Sequence, residues 1–300
     1  MGGRVMIGRI GVVLFFLMAG YLTVTSRENR NIKQYLFNRF VRLYPVYWFL
    51  MFLFIFVGGM IPFWQILVNM TMLAEFLRSF AKPVIPSTWM MPMMLTFFVM
   101  IAFTGVKFFT RSRTRALMTL IFIMTLALIA GYIRFRIGRR IPTAFFFLTA
   151  VAFIGMYYYE MTHSGTITPL TFLYALIIFE VFFVISVYLS YYVPLPGASR
   201  PIAYITSYNF GLFIFFVMAK LKFSFYPLSK LGDISFIIFL SMDVLYGFMV
   251  KYFPAEILNY NPYVNFLIRF SLVAIFSYLV TKFVERPLIK YSKSIESKLA

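Results

Sequence analysis

The chain has no cysteine and one histidine, His163. The first absence removes disulfides, thiolate nucleophiles and cysteine-ligated metals, and the second removes any site built from several imidazoles. No metal and no bound cofactor are therefore expected. Charge is scarce too. Only 12% of residues are Asp, Glu, Lys or Arg, against about a quarter in a soluble domain. Alternation of polar and apolar residues, which a membrane β-barrel needs, is missing from the apolar runs. No soluble domain, low-complexity tract or internal repeat is evident.

What is present is apolar surface: 62% of the chain is hydrophobic and 21% aromatic. Runs long enough to cross a hydrocarbon layer of roughly 30 Å recur throughout. The fold class that follows is all-α, a polytopic transmembrane bundle. Nine spans are predicted, at about 10–24, 43–60, 88–109, 116–133, 142–159, 169–193, 202–221, 231–250 and 263–282. The mixed stretch 63–80 reads as an interfacial helix, with Gln65, Asn69, Glu75 and Arg78. A single membrane domain over residues 1–300 is the simplest account.

The net charge of +19 does not point to nucleic acid, because the basic residues sit in short loops and no basic domain lies outside the spans. In those loops they set topology and meet anionic headgroups. If the loop after the first span is cytoplasmic, 17 of the 28 basic residues fall inside and ten outside, and the C-terminus is cytoplasmic. The misfits are Arg4 and Arg9, then Arg134, Arg136, Arg139 and Arg140, all placed outside.

Residues 36–48 read LFNRFVRLYPVYW, a basic amphipathic stretch running into a span. Arg39 and Arg42 lie three apart at the mouth of that span, where a phosphate-bearing ligand could meet them. Together with GRIGVVLFFLMAGYL at 8–22, the stretch resembles the bacterial membrane acyltransferase family 3. Two weaker blocks agree in order and spacing: Ser87-Thr88-Trp89 with Pro92 and Phe97-Phe98, and Leu231-Gly232-Asp233-Ile234-Ser235-Phe236. Phe283-Val284-Glu285-Arg286-Pro287 is similar to the family's closing motif. The resemblance implies a polytopic enzyme that moves acetyl or related acyl groups onto envelope glycans, with acyl-CoA as co-substrate.

The departures concern proton transfer. The family's first span carries a histidine thought to act as general base, and this chain begins after it. The acid usual in the first block is Val13 here, the glutamate of the tryptophan block is Met94, and the histidine after the L-G-x-I-S block is Met242. Acyl transfer to a hydroxyl needs a base at the acceptor oxygen, which methionine cannot be. The catalytic residues are thus unknown, and the chain by itself is expected to transfer little.

Arg39 and Arg42 read as a donor-phosphate clamp, since guanidiniums on neighbouring turns bind phosphate with charge-assisted hydrogen bonds. The competing reading is plain topology and headgroup anchoring. Tyr44, Tyr47 and Trp48 read as interfacial belt residues. Within the spans lie Glu180, Asp243 and Arg269, which are costly without partners. At 1.5 Å per residue they sit about 16, 18 and 20 Å from the inner ends, so an Asp243–Arg269 pair with Glu180 nearby is expected. That cluster is either a structural ion pair or a polar acceptor pocket. His163 reads as a solvated loop residue, and Met90, Met91, Met93 and Met94 as lipid-facing or packing side chains.

The resulting expectation is a multi-pass protein of the bacterial cytoplasmic membrane. Its partners would be acyl-CoA, membrane lipids and an envelope polysaccharide or lipid-linked sugar. The alternative is a non-enzymatic carrier of lipid-linked glycans or acyl groups on the same scaffold.

Overall fold

The computed structural model describes residues 6–58, 61–77, 82–137, 142–191, 201–221, 226–252 and 262–296. Among them are twelve α-helices, a 3-10 turn and a π turn. Nine helical stretches are long and apolar enough to cross a membrane, matching the predicted spans in number and order. The chain divides into two compact units. The first takes residues 1–32 and 93–223, and the second takes 33–92 and 224–300.

The first unit contains α1 (Ile7–Glu28), the greater part of α4 (Met91–Thr104), α5 (Val106–Thr110), α6 (Arg113–Ile137), α7 (Thr143–His163), α8 (Pro169–Tyr191) and α9 (Pro201–Leu221). Helices in lipid gain little from hydrophobicity and associate through close packing at small residues. Four glycines supply it. A Cβ on Gly20 of α1 would stand 1.8 Å from the Ala152 carbonyl oxygen of α7, and one on Gly155 of α7 would stand 2.1 Å from the Leu17 carbonyl. Gly211 of α9 admits Val13 of α1, and Gly131 of α6 admits Ser186 and Ser190 of α8. Every residue from Phe147 to Tyr157 in α7 is buried, so this helix is the core. Val13, where resembling sequences carry an acid, is wholly buried against Gly211 and offers aliphatic contact only.

The third span ends earlier than expected. Gly105 adopts φ +77°, its N–H bonds the Ile101 carbonyl, and the chain restarts as α5. A glycine supplies that left-handed stop at no steric cost. The methionines of the same block are buried, so they pack and do not face lipid. His163 is the last residue of α7 and not in a loop. Its exposed ring stacks on Tyr159 at 4.3 Å and meets the edge of Tyr21 at 6.0 Å.

The second unit holds α2 (Ile32–Gly58), α3 (Phe63–Met70), the 3-10 turn Pro86–Met90, α10 (Tyr226–Tyr252), α11 (Pro262–Val280), the π turn Thr281–Glu285 and α12 (Arg286–Glu296). The basic amphipathic stretch and its span form one helix, which passes through Pro45 despite the lost N–H. The interfacial helix expected over 63–80 stops at Met70, and residues 78–81 lie outside the described residues. Its end is fixed from α2. Tyr47 Oη donates to the Asn69 carbonyl at 2.9 Å, Trp48 Nε1 to Met70 at 3.0 Å, and Tyr44 Oη to Thr71 at 3.3 Å. These are carbonyls a helix cannot satisfy at its own C-terminus. The three aromatics therefore cap α3, a role beyond that of belt residues.

Candidate functional site

Arg39 and Arg42 occupy neighbouring turns of α2 and so lie on one face. The Arg39 guanidinium lies 5.3 Å from the Tyr35 ring centroid, and Arg42 is exposed. Beside them Phe40, Tyr44 and Trp48 form a ring ladder with centroids 4.5 to 5.9 Å apart, which stiffens this stretch of helix.

The arginines do not stand alone. The carboxylate of Glu285, half-buried at the end of the π turn, interacts electrostatically with Arg42, with Arg286 and with Asp233. Asp233 in turn lies 3.9 Å from Lys230 Nζ. One residue each from the R-x-x-R block and the L-G-D-I-S block thus act electrostatically on Glu285 of the closing F-V-E-R-P block. Local sequence explains how Glu285 is aimed. Pro287 has no N–H to return to Phe283, and its ring crowds that carbonyl. The chain accommodates this with a wider turn, in which the Arg286 N–H donates to the Thr281 carbonyl five residues back. Such π turns recur at functional sites. Sequence reading had missed Asp233 and Glu285 as site residues. The signal was available, since both sit inside the recognised blocks.

The intramembrane residues are arranged differently from expectation. Asp243 and Arg269 do not pair. Asp243 accepts a hydrogen bond from the Ser87 backbone N–H, at the start of the 3-10 turn. A carboxylate there meets an amide that has no partner within its own helix, at the positive end of the helix dipole. Arg269 Nε donates to Asn265 Oδ1 at 2.6 Å, and its guanidinium lies 5.2 Å from the Tyr246 ring centroid. Glu180 belongs to the first unit, where Asn209 hydrogen-bonds its carboxylate. Asp243, on the same helix as the L-G-D-I-S block but beyond its end, thus ties α10 to the Ser87 block. Met242, one residue before it, is half exposed.

At the far end of α2 a cavity of about 310 Å³ is lined by Phe54, Val57, Gly58, Tyr246, Gly247 and Lys251. Lys251 Nζ reaches in to donate to the Val57 carbonyl at 2.6 Å. Among the described residues no group of three or more His, Cys, Asp or Glu is placed to hold a metal.

The family model of the acyltransferase domain matches residues 2–282. The chain belongs to acyltransferase family 3. No curated protein and no solved structure matches it. For this acyltransferase-type membrane protein, the electrostatic grouping of three blocks about Glu285 gives the motif a physical content. Guanidiniums of fixed charge stand at the entrance of an apolar helix, with the Glu285 carboxylate acting electrostatically on Arg42.

The first unit adds a carboxylate that the spans had concealed. Glu160 is buried in the last turn of α7, its oxygens accepting from Thr110 Oγ1 at 3.2 Å and from Ser164 Oγ. Glu160 falls one residue beyond the predicted span, where an acidic residue attracts no notice.

Proposed function

We propose that this protein carries an acyl group, acetyl being the simplest, from acyl-CoA to a hydroxyl of an envelope polysaccharide or lipid-linked sugar. The acceptor oxygen attacks the thioester carbonyl, the tetrahedral intermediate collapses, and the C–S bond breaks to release the coenzyme thiol. The acceptor's proton passes to a base and then to the thiolate. Arg39 and Arg42 take the coenzyme phosphates. Each planar guanidinium offers paired N–H donors to phosphate oxygens, and the ring ladder beside them restricts the helix surface they share. Asp243 and Arg269 are polar groups along the apolar helices that the acyl group would follow. The positive-inside count supports a cytoplasmic membrane location, with Arg39, Arg42 and the C-terminus on the cytoplasmic side, where acyl-CoA is made.

The observation that carries this reading is the electrostatic grouping of three family blocks at Arg42, Asp233 and Glu285. The test is a binding series on the purified protein in nanodiscs, using acetyl-CoA, dephospho-CoA and pantetheine. Affinity should fall at each loss of phosphate, by about tenfold or more per step. Equal affinity for acetyl-CoA and pantetheine would remove the phosphate clamp. Release of coenzyme thiol on adding a membrane glycan fraction would then distinguish transfer from carriage.

A further inference from the structure

Two arginines that the positive-inside count places on the wrong side have a structural explanation in the first unit. Arg9 of α1 lies with its guanidinium carbon 3.3 Å from the ring centroid of Tyr204 on α9. Arg134 of α6 lies 4.6 Å from the ring centroid of Tyr191 on α8. The two tyrosine rings are 4.6 Å apart, their hydroxyls are hydrogen-bonded, and both guanidiniums act electrostatically on Tyr191. Tyr204 stacks in turn on the buried Tyr208 at 5.8 Å. Four helix ends are thus tied by a layer of tyrosines that carries two fixed positive charges.

A guanidinium stacked by its face keeps its N–H donors in the ring plane, directed outward at the edge. Arg134 Nε is buried and has no hydrogen-bond acceptor among the described residues. A buried donor of this kind is costly unless an anion meets it. The same helix ends expose apolar side chains, Ile133 and Ile137 on α6 and Ile202 on α9. A ligand that fits both features has an anionic head with several acceptor oxygens and a hydrocarbon tail.

We infer that Arg134, with the charge of Arg9 at the same tyrosine pair, forms a second anion site that binds the phosphate of a membrane-anchored lipid. Phosphate oxygens can accept from the Arg134 edge, with the charge of Arg9, whose Nε donates to Met6 Sδ at 3.0 Å, acting at the same tyrosine pair, while the tail lies along the exposed isoleucines. The lipid is either an anionic phospholipid of the bilayer or an isoprenoid phosphate. The inference stands on the first unit alone and is independent of coenzyme binding by α2.

The test is native mass spectrometry of the whole protein released from phosphatidylcholine nanodiscs, with phosphatidylglycerol or farnesyl phosphate added. The wild type should retain a phosphate lipid, and Arg134→Gln and Arg9→Gln should each lower its occupancy about tenfold. Arg136→Gln should not, because that guanidinium is held by Tyr132 of its own helix at 3.0 Å. Retention of phosphatidylglycerol alone identifies the bilayer as the source, and retention of farnesyl phosphate alone identifies a carrier lipid. The double variant Arg39→Ala, Arg42→Ala should bind lipid as the wild type does, so that failure of the donor reading is seen separately. Three results would overturn the site: retention no greater than that of phosphatidylcholine, equal retention by folded Arg134→Gln and Arg9→Gln, or equal loss in Arg136→Gln.

Discussion

The two units solve different problems. In the first, 72% of the most apolar window of α7 is buried; in the second, the last membrane helix buries only 22% of its own. Yet the second, smaller unit carries six of the nine acidic residues, along with Arg39 and Arg42. The recognised blocks divide in the same way. The first block, with Gly20 at its end, is a packing device, whereas the R-x-x-R, L-G-D-I-S and F-V-E-R-P blocks converge as charge. Sequence similarity alone gives these blocks equal weight. Burial separates the block that packs its unit from those that gather charge.

The contrast breaks most visibly at the glycines. Gly20→Ala and Gly155→Ala force a methyl onto a backbone carbonyl, and each should cost about 1–3 kcal/mol or more, seen as a lower Tm in detergent. Gly232→Ala in the second unit meets nothing within 4 Å and should leave Tm unchanged or raise it slightly, since alanine favours the helix by up to about 1 kcal/mol. Equal losses at all three would abolish the distinction.

Asp243→Ala should cost about 1–3 kcal/mol by leaving the Ser87 amide unsatisfied, and Asp243→Asn less, because an acceptor oxygen remains. Urea or thermal unfolding of these variants in a double cycle with Arg269→Gln should give additive changes to within about 0.5 kcal/mol. A large coupling would restore the ion pair expected from depth. Tyr47→Phe should cost about 1 kcal/mol by removing one of the two hydrogen bonds that the Asn69 carbonyl accepts, the other coming from the Met72 N–H. The smallest effect is functional. Glu285 acts on Arg42 without a close ion pair, so its charge repels phosphate more than its contacts position the arginine. Glu285→Gln should tighten acetyl-CoA binding by about two- to fivefold at low salt, an effect that fades as salt screens it. Calorimetric titration at two ionic strengths would show weaker binding if Glu285 instead orients Arg42.

The nine spans were legible because lipid demands long apolar runs, and the runs are there to count. Their ends were less so. α2 begins at Ile32 because an amphipathic turn can continue a helix without adding to hydropathy, and α4 ends at a glycine whose backbone angle no apolar count reveals. The Asp243–Arg269 pair failed for a definite reason. Depth fixes one coordinate of a helical residue and leaves its rotation free, and the partner Asp243 takes is a backbone amide, which no inventory of side chains reveals. Arg39 and Arg42 were legible as candidates because they stand in a recognised block. Asp233 and Glu285 were in such blocks too, but their meeting is a tertiary fact. Arg9 and Arg134 first showed as topological misfits, and only the tyrosines beneath them, from helices far apart in sequence, give them a reason.

The central claim is that Arg39 and Arg42 hold the phosphates of an acyl donor. It is tested most directly by titrating acetyl-CoA into the purified protein in nanodiscs, comparing wild type with Arg39→Ala, Arg42→Ala and confirming equal Tm. With about 1.5–3 kcal/mol for each charged hydrogen-bonding group, the account predicts a loss of affinity of at least about a hundredfold. An unchanged Kd in the folded double variant would contradict it.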